Sequence, residues 1–162
     1  MTNPRIQTLI EALQLHPHPE GGYYHELFRS AHKVIADGGR GERLALTSIY
    51  FLLTEGQKSR WHRVRSDEVW NYLEGQPLEL LCFDPESGRL TRGGVGPYGP
   101  GMEPSRVVPA GVWQAAEPRG EFTLVSCSVG PGFEFSDFSL AADDAEAEKA
   151  IRALGERAAG LI

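Results

Sequence analysis

One histidine and one carboxylate stand close together in a stretch whose pattern is typical of β-strands. His62 and Glu68 lie six residues apart within the segment GQKSRWHRVRSDEVWNYLEG, residues 56–75. On an unbroken strand an even separation places both side chains on one face, whereas a turn at Ser66 and Asp67 would bring them together across a hairpin. Either geometry joins an imidazole to a carboxylate. Such a pair can bind a metal ion or transfer protons.

Without a metal ion, His62 and Glu68 form a candidate acid/base pair. A neighbouring carboxylate is expected to raise the pKa of His62 and to fix its tautomer, which would make His62 a proton acceptor. A tyrosine on the opposite side of a ligand would return the proton. We assign this catalytic role to Tyr72, with Tyr50 and Tyr24 as alternatives. The competing interpretation is that His62 and Glu68 only satisfy hydrogen bonds inside a polar interior.

Aromatic and polar residues near this pair are candidates for ligand contacts. Trp70 lies two residues from Glu68 and should share its face, so it is the expected stacking residue for a flat ring. Trp61 precedes His62 and should point the other way, into a contact between sheets or between subunits. The full set of expected ligand-contacting residues is Tyr50, Ser59, Trp70, Gln114, Phe133 and Phe135.

Composition and charge limit the class of protein. A chain of 162 residues with 41% hydrophobic content suits one domain with a hydrophobic core, and 19 glycines and 11 prolines favour a turn-rich all-β architecture. The net charge of -6 indicates neither a nucleic acid nor an anionic membrane as a partner. The sequence shows no basic-then-apolar leader and no apolar run near ~20 residues. We therefore expect a cytoplasmic protein.

Hydrophobic periodicity predicts many short strands between two helices. Thr2 or Asn3 can cap a helix that starts at Pro4 and runs to about Leu15. The segment HPHPEGG stops this helix, and its prolines favour a structural loop with partly exposed histidines. Strands are predicted at 23–29, 47–54, 59–65, 68–74, 77–84, 89–94, 105–108, 112–117 and 121–129.

Three further segments have less regular patterns. Residues 31–44 form a polar, glycine-rich excursion that we expect to be mobile. Residues 93–104 are rich in glycine and proline and predict a loop over one end of the fold. Residues 143–158 predict a C-terminal helix whose narrow apolar face should pack only lightly.

The central stretch resembles the first cupin motif, in which a glycine, two histidines, a glutamate and a second glycine recur at fixed intervals. Gly56, His62, Glu68 and Gly75 match it, but Val64 stands where the second histidine is expected. In the second motif Pro109 and Gly111 match, and Gln114 replaces the histidine.

Four longer blocks resemble the uncharacterised cupin-5 (DUF985) family over about residues 5–140. They are HPHPEGGYYHE, SRWHRVRSDEVWNYLEG, VVPAGVWQAA and SVGPGFEFSDF. The resemblance implies a jelly-roll β-barrel, or double-stranded β-helix, with a pocket inside and commonly a homodimeric assembly. We therefore expect one cupin domain over residues 1–142, including a short N-terminal helix, and a C-terminal helical tail over residues 143–162.

A typical cupin holds its metal with three histidines and a glutamate, so this site is degenerate. We expect no cofactor; the alternative is a divalent metal at His62, Glu68 and Gln114, with His18 or His25 filling a vacancy. The expected function is small-molecule binding of unassigned activity, with sugar or sugar-nucleotide isomerisation or epimerisation as the candidate reaction. A metal-dependent enzyme of the dioxygenase type and a non-enzymatic module for a sugar-like or nucleotide-like metabolite are the alternatives.

Overall fold

The computed structural model describes residues 3–162, which form mainly β-strands. Helix α1 spans Pro4–Ala12, and helices α2 (Ala145–Ala153) and α3 (Glu156–Ala159) end the chain. No helix within residues 3–162 is long and apolar enough to cross a lipid bilayer. The strands are β1 (His16–Pro17), β2 (Tyr23–Arg29), β3 (Lys33–Ala36), β4 (Gly41–Leu44), β5 (Thr47–Thr54), β6 (Ser59–Val64), β7 (Asp67–Gly75), β8 (Leu78–Asp84), β9 (Arg89–Val95), β10 (Met102–Glu103), β11 (Ser105–Val108), β12 (Trp113–Pro118), β13 (Phe122–Gly130) and β14 (Phe138–Leu140). All nine predicted strands are present, with ends within one residue of their predicted positions.

Two six-stranded sheets enclose the main core. The first sheet has the order β1-β2-β5-β13-β7-β11, and the second has the order β10-β9-β8-β12-β6-β14. Side chains from both sheets meet between them, including Phe51 and Trp70 of the first sheet and Leu78, Leu80 and Ala116 of the second. The fold is therefore the expected jelly roll, because antiparallel strands of two packed sheets bury their alternate residues against each other.

Strands β6 and β7 lie in different sheets. β6 pairs with β12 and β14, whereas β7 pairs with β11 and β13. Both sequence-based geometries for His62 and Glu68 are therefore wrong, since the two residues share neither one strand nor one hairpin. The chain instead leaves the second sheet after Val64 and enters the first at Asp67. This crossing places the imidazole and the carboxylate on opposing walls of the sandwich.

Helix α1 covers the outer face of the first sheet. The Asn3 side chain accepts a hydrogen bond from the backbone N–H of Arg5, which confirms one of the two predicted caps, while Thr2 lies outside the described residues. Ile6 and Leu9 are buried in a cluster that also contains Leu52, Phe122 and Leu124. The helix ends before Leu15, because Gln14 adopts a φ of 54° that a right-handed helix excludes.

The C-terminal helices pack firmly, contrary to the expectation of light packing. Ile151 and Ala158 are completely buried against the second sheet, in a cluster that includes Trp61 and Trp113. The indole N–H of Trp61 donates to the Ala158 carbonyl at 2.8 Å. Trp61 thus points away from His62 as predicted, but its partner is the helical end of its own chain. A narrow helix face suffices here because two tryptophan rings of the sheet cover it.

The segment over residues 31–44, predicted to be mobile, is a β-hairpin formed by β3 and β4. Two arginines of this hairpin bind the buried Asp137 carboxylate, Arg43 through its Nε at 2.8 Å and Arg40 through its Nη1 at 3.2 Å. Asp137 ends a short 3-10 turn, Phe135–Asp137. The ion pairs therefore attach the hairpin to the segment that carries three phenylalanines.

The predicted loop over residues 93–104 is only partly irregular. Strand β9 continues to Val95, which is fully buried and pairs with Leu78, and β10 then pairs in parallel with the end of β9. Gly93 and Gly94 favour a loop because glycine has a weak strand propensity, but burial of Val95 in the core outweighs this preference.

Candidate functional site

A cavity of about 280 Å³ lies between the two sheets. His62 from β6 and Glu68 from β7 line it from opposite sheets, and His18 and Glu20 line it from the loop after α1. These four side chains are nearly inaccessible to solvent, whereas Phe135 is 53% exposed. The polar groups therefore lie deep, and aromatic rings stand nearer the surface. The aromatic lining consists of Tyr24, Phe51, Phe133, Phe135 and Phe138.

The direct partner of His62 is Glu20. His62 Nδ1 lies 2.8 Å from the Arg60 carbonyl oxygen, which can only accept, so Nδ1 carries a hydrogen. His62 Nε2 lies 3.2 Å from Glu20 Oε2, and the hydroxyl of Ser59 donates to Glu20 Oε1 at 2.7 Å. A neutral imidazole protonated at Nδ1 offers only a lone pair at Nε2, so a hydrogen bond across this contact needs a proton on Glu20.

Burial changes the pKa values of both Glu20 and His62. Desolvation raises the pKa of Glu20 to about 8, although the Ser59 hydrogen bond and the Arg60 charge oppose the change. Desolvation also lowers the pKa of His62, and this effect exceeds the attraction of Glu68. The expectation that a carboxylate would raise the pKa of His62 is therefore wrong. Loss of hydration destabilises the charged imidazolium by more than the Glu68 carboxylate stabilises it. With a pKa of about 8, Glu20 is largely protonated at neutral pH and lies beside a neutral His62.

Glu68 is held by a chain of hydrogen bonds through the core. The indole N–H of Trp70 donates to Gln114 Oε1 at 2.8 Å, and Gln114 Nε2 donates to Glu68 Oε2 at 2.6 Å. Burial raises the pKa of Glu68, while His62, Gln114 and the Cys127 thiol favour its charged form. The raised pKa makes the Glu68 carboxylate a stronger base than that of an exposed glutamate.

His18 presents a hydrogen-bond donor to the cavity. The backbone N–H of Glu20 donates to His18 Nδ1 at 3.2 Å, so the ring proton lies on Nε2. Burial lowers the pKa of His18 to about 3, with the nearby His62 adding to the effect. The prediction of partly exposed histidines is wrong for His18, whose side chain is 6% exposed. It is a neutral imidazole throughout the physiological pH range.

The residues at the cupin ligand positions do not fit a metal ion. The only oxygen of the Gln114 amide accepts from Trp70, and its nitrogen faces Glu68. His62 Nδ1 is occupied by a backbone carbonyl, and Val64 offers no donor atom. Within residues 3–162 no group of three or more His, Cys, Asp or Glu side chains is arranged to hold a metal. His25 does not line the cavity, so it fills no vacancy.

Six of the predicted site residues line the cavity or support its polar groups from behind. His62, Glu68, Phe133 and Phe135 line it. Gln114 lies behind Glu68 as its hydrogen-bond donor. Ser59 occupies the equivalent position behind Glu20.

Three predicted site residues lie elsewhere. Trp70 is 1% exposed and packs in the core, so it supports Gln114 and does not stack on a ligand. The Tyr72 hydroxyl donates to the Gly75 carbonyl at 2.7 Å, away from the cavity. Tyr50 packs on the outer face of the first sheet with α1. Trp70 shares the inward face of β7 with Glu68, as predicted, but its depth depends on the opposing sheet, and Tyr50 lies on the outward face of β5.

Sequence reasoning missed Glu20 as a site residue. Its position depends on Gly21 and Gly22, which adopt φ values of 108° and 75°. A Cβ at Gly21 would collide with the Lys58 carbonyl, so only glycine lets this loop approach β6 closely. The Gly-Gly pair indicated a turn, but its direction into the cavity is a tertiary property. Cys127 was also missed as a lining residue.

Fold and site together define a jelly-roll protein with an enclosed acid/base cavity. The sequence matches the family described as "Cupin superfamily (DUF985)" over residues 7–141, and the chain belongs to this family. An uncharacterised protein of Saccharomyces cerevisiae, YML079W, is 32% identical over 151 residues, or 83% of this chain and 74% of the relative.

Two solved structures are similar over most of the chain. A hypothetical protein from Leishmania major is 39% identical, with a TM-score of 0.75 over 82% of this chain and 85% of the other. Protein SO0799 from Shewanella oneidensis is 37% identical, with a TM-score of 0.75 over 86% of this chain and 85% of the other. These relatives support the fold and the family; their descriptions assign no activity.

Proposed function

We propose that the cavity binds a small, sugar-like molecule and catalyses proton transfer on it, as an isomerase or epimerase does. The observation that carries this proposal is the enclosure of Glu20, His62 and Glu68 in one cavity, where Ser59 donates to Glu20 and Gln114 donates to Glu68. Two carboxyl groups in different environments of one site can serve as a general acid and a general base.

The geometry gives each group a separate role. Glu68 takes a proton from the carbon next to the ligand carbonyl, and the electron pair of that C–H bond moves into an enediolate. The Nε2–H of His18 donates to the developing oxyanion. The ring can do so as a neutral imidazole, because its pKa of about 3 lies far below the pH of the medium. The Glu20–His62 pair then supplies a proton. In an isomerisation this proton goes to the former carbonyl carbon, and the proton of the neighbouring hydroxyl passes to the oxyanion as the new carbonyl forms. In an epimerisation it goes to the opposite face of the same carbon, and the original carbonyl forms again.

The entrance of the cavity favours an uncharged ligand. Arg29 is its one arginine within the described chain, and it is bound by Glu26 at 2.8 Å and Glu134 at 3.2 Å. Two carboxylates thus neutralise the cation that a ligand phosphate would need. The volume of about 280 Å³ lies near the lower limit of the ~300–1,000 Å³ typical of small-molecule sites. A monosaccharide suits this site better than a sugar nucleotide.

Deuterium exchange from solvent tests the proposal directly. Aldoses and ketoses of three to six carbons are incubated with the protein in D₂O, and proton NMR follows the loss of the C–H signal beside the carbonyl. We expect exchange with the unaltered protein and a loss of ~100-fold or more in Glu68→Gln and Glu20→Gln, because a positioned acid or base contributes ~10²–10⁴ in rate. Glu148→Gln, on the exposed side of α2, is the matched control.

The same panel is examined by thermal shift, because a ligand that binds only the folded state raises the melting temperature. Binding without exchange would contradict the catalytic proposal and identify a non-enzymatic binding module. Exchange that persists unchanged in both variants would show that these carboxyl groups do not perform the chemistry. The homodimer implied by the family resemblance stays a prediction.

A further inference from the structure

A second groove, of about 210 Å³, lies at the opposite edge of the sandwich and shares no lining residue with the cavity. It opens between β9 of the second sheet and β11, the edge strand of the first sheet. Leu80, Cys82 and Val112 form its apolar floor, at the border of the main core. Its polar walls carry Arg89, Thr91, Arg92 and Arg106, together with Asp84.

The guanidinium group of Arg106 lies directly against the backbone of Gly93. A Cβ at Gly93 would coincide with the guanidinium of Arg106, so any other residue at this position would displace that side chain. Gly93 does not adopt a left-handed conformation, and its backbone therefore gives no reason for a glycine. The absence of a side chain at Gly93 lets the guanidinium of Arg106, on β11 of the first sheet, lie close to β9 of the second sheet.

The arginines of this groove differ from the others in their partners. Every other arginine within residues 3–162 has a hydrogen-bond acceptor or a carboxylate within 4.0 Å. Arg106 has only the Glu103 carboxylate, at 3.6 Å from its Nε. In the same described part of the chain, Arg89 and Arg92 have no side-chain partner. A protein with a net charge of -6 thus leaves Arg89 and Arg92 without a counter-charge beside one groove, and Arg106 with a single carboxylate partner, within the described residues.

The remaining groups of the groove do not cancel this charge. Asp84 is the one acidic residue among its lining residues, and its oxygens accept from the Ser87 hydroxyl at 2.6 Å and from the Glu86 backbone N–H at 3.0 Å. Burial raises the pKa of the Cys82 thiol to about 11, so the floor is uncharged at neutral pH. Three arginines against Asp84 and the adjacent Glu103 leave an excess of one positive charge around the groove.

We propose that this groove binds the phosphate group of a small molecule. Guanidinium groups recognise phosphate oxygens through paired N–H donors, and the glycine at position 93 leaves room for the Arg106 guanidinium beside the groove. The site is separate from the acid/base cavity, and its existence does not depend on the chemistry proposed there. The ligand is either free inorganic phosphate or a phosphomonoester whose carbon chain lies on the apolar floor.

Titration calorimetry at low ionic strength tests this site, with inorganic phosphate and glycerol 3-phosphate as probes and sodium chloride of equal ionic strength as a reference. We expect saturable binding to the unaltered protein and a loss of ~10-fold or more in Arg106→Gln, because hydrogen bonds to charged groups are lost. Gly93→Ala should weaken binding as strongly, because it displaces Arg106 without removing its charge.

Arg152→Gln is the matched control, since Arg152 pairs with Glu148 on the exposed side of α2. Arg152→Gln removes one positive charge, as Arg106→Gln does, and should leave phosphate affinity unchanged. Equal weakening by Arg152→Gln and Arg106→Gln would show a diffuse electrostatic effect and overturn the proposal. Absence of saturable binding to the unaltered protein at millimolar concentrations of both probes would overturn it as well. Tighter binding of glycerol 3-phosphate than of phosphate would identify the phosphomonoester as the ligand class.

Discussion

Glu20 Oε2 and His62 Nε2 lie 3.2 Å apart, and burial favours the neutral form of both groups. The two residues come from different parts of the chain, a Gly-Gly loop and a central strand of the second sheet. Because the Arg60 carbonyl fixes the tautomer of His62, the imidazole can only accept from Glu20. The pair is therefore neutral and can either release or take up a proton during a reaction.

The protonated state of Glu20 predicts a pH dependence of stability. Its folded-state pKa of about 8 exceeds the unfolded value of ~4.3, so the folded protein binds the additional proton and its stability falls as pH rises towards 8. His18, with a lowered folded pKa of about 3, acts oppositely and only below pH ~6.5. Between pH 6.5 and 8 we expect the free energy of unfolding to fall by up to ~1.4 kcal/mol per pH unit from Glu20.

Urea unfolding of the unaltered protein and of Glu20→Gln at half-unit steps from pH 6.5 to 8 measures this slope. The variant should show a flatter profile, because the glutamine cannot release a proton. Glu148→Gln, on the solvent-exposed face of α2, should keep the steep profile. An identical slope in unaltered protein and Glu20→Gln would mean that Glu20 is ionised in the folded state.

Trp70 contributes to stability through one hydrogen bond as well as through packing. Trp70→Phe removes the only donor to Gln114 Oε1, a fully buried acceptor. An unsatisfied buried acceptor costs ~1–3 kcal/mol in addition to the lost ring volume. Trp113→Phe is the matched control, because Trp113 is equally buried at 1% exposure. A denaturant titration in which both variants lose the same free energy would contradict this role of the indole N–H.

Restoring the missing ligands should create a metal site. The variant Val64→His with Gln114→His adds two imidazoles beside His62 and Glu68. It also removes the Gln114 amide, whose oxygen accepts a hydrogen bond from Trp70. Nitrogen and carboxylate donors of this kind bind Zn²⁺ or Mn²⁺, and we expect roughly tenfold or more metal retention relative to the unaltered protein. Elemental analysis after dialysis measures it. Equimolar metal in the unaltered protein would instead show that the present residues suffice.

Asp137 should stabilise both the β3–β4 hairpin and the aromatic wall of the cavity. Its carboxylate is 1% exposed and binds Arg40 and Arg43, so Asp137→Ala leaves two guanidinium groups without a counter-charge. Breaking such a buried pair costs ~3–5 kcal/mol. Thermal unfolding measures the loss, with the exposed Asp143→Ala as the control. A double-mutant cycle with Arg43→Ala should show coupling; purely additive losses would contradict a direct interaction.

The sequence by itself determined the class of fold and the strand positions. Alternating apolar residues and turn residues indicated nine strands, because side-chain alternation and turn conformation are local properties. The spacing of Gly56, His62, Glu68 and Gly75 indicated the family, which the match over residues 7–141 confirms. His62 and Glu68 were also correctly predicted to face one interior.

Only the tertiary structure decided which groups touch each other there. Glu20 reaches His62 because a loop distant in sequence folds against β6, and Trp70 is removed from the cavity because the second sheet covers it. The protonation of Glu20 and the neutrality of His62 follow from burial, which is a sum over surrounding atoms and has no local sequence pattern. Residue types and spacing thus indicated acid/base groups, whereas the packing of two sheets and one loop assigned their partners and their protons.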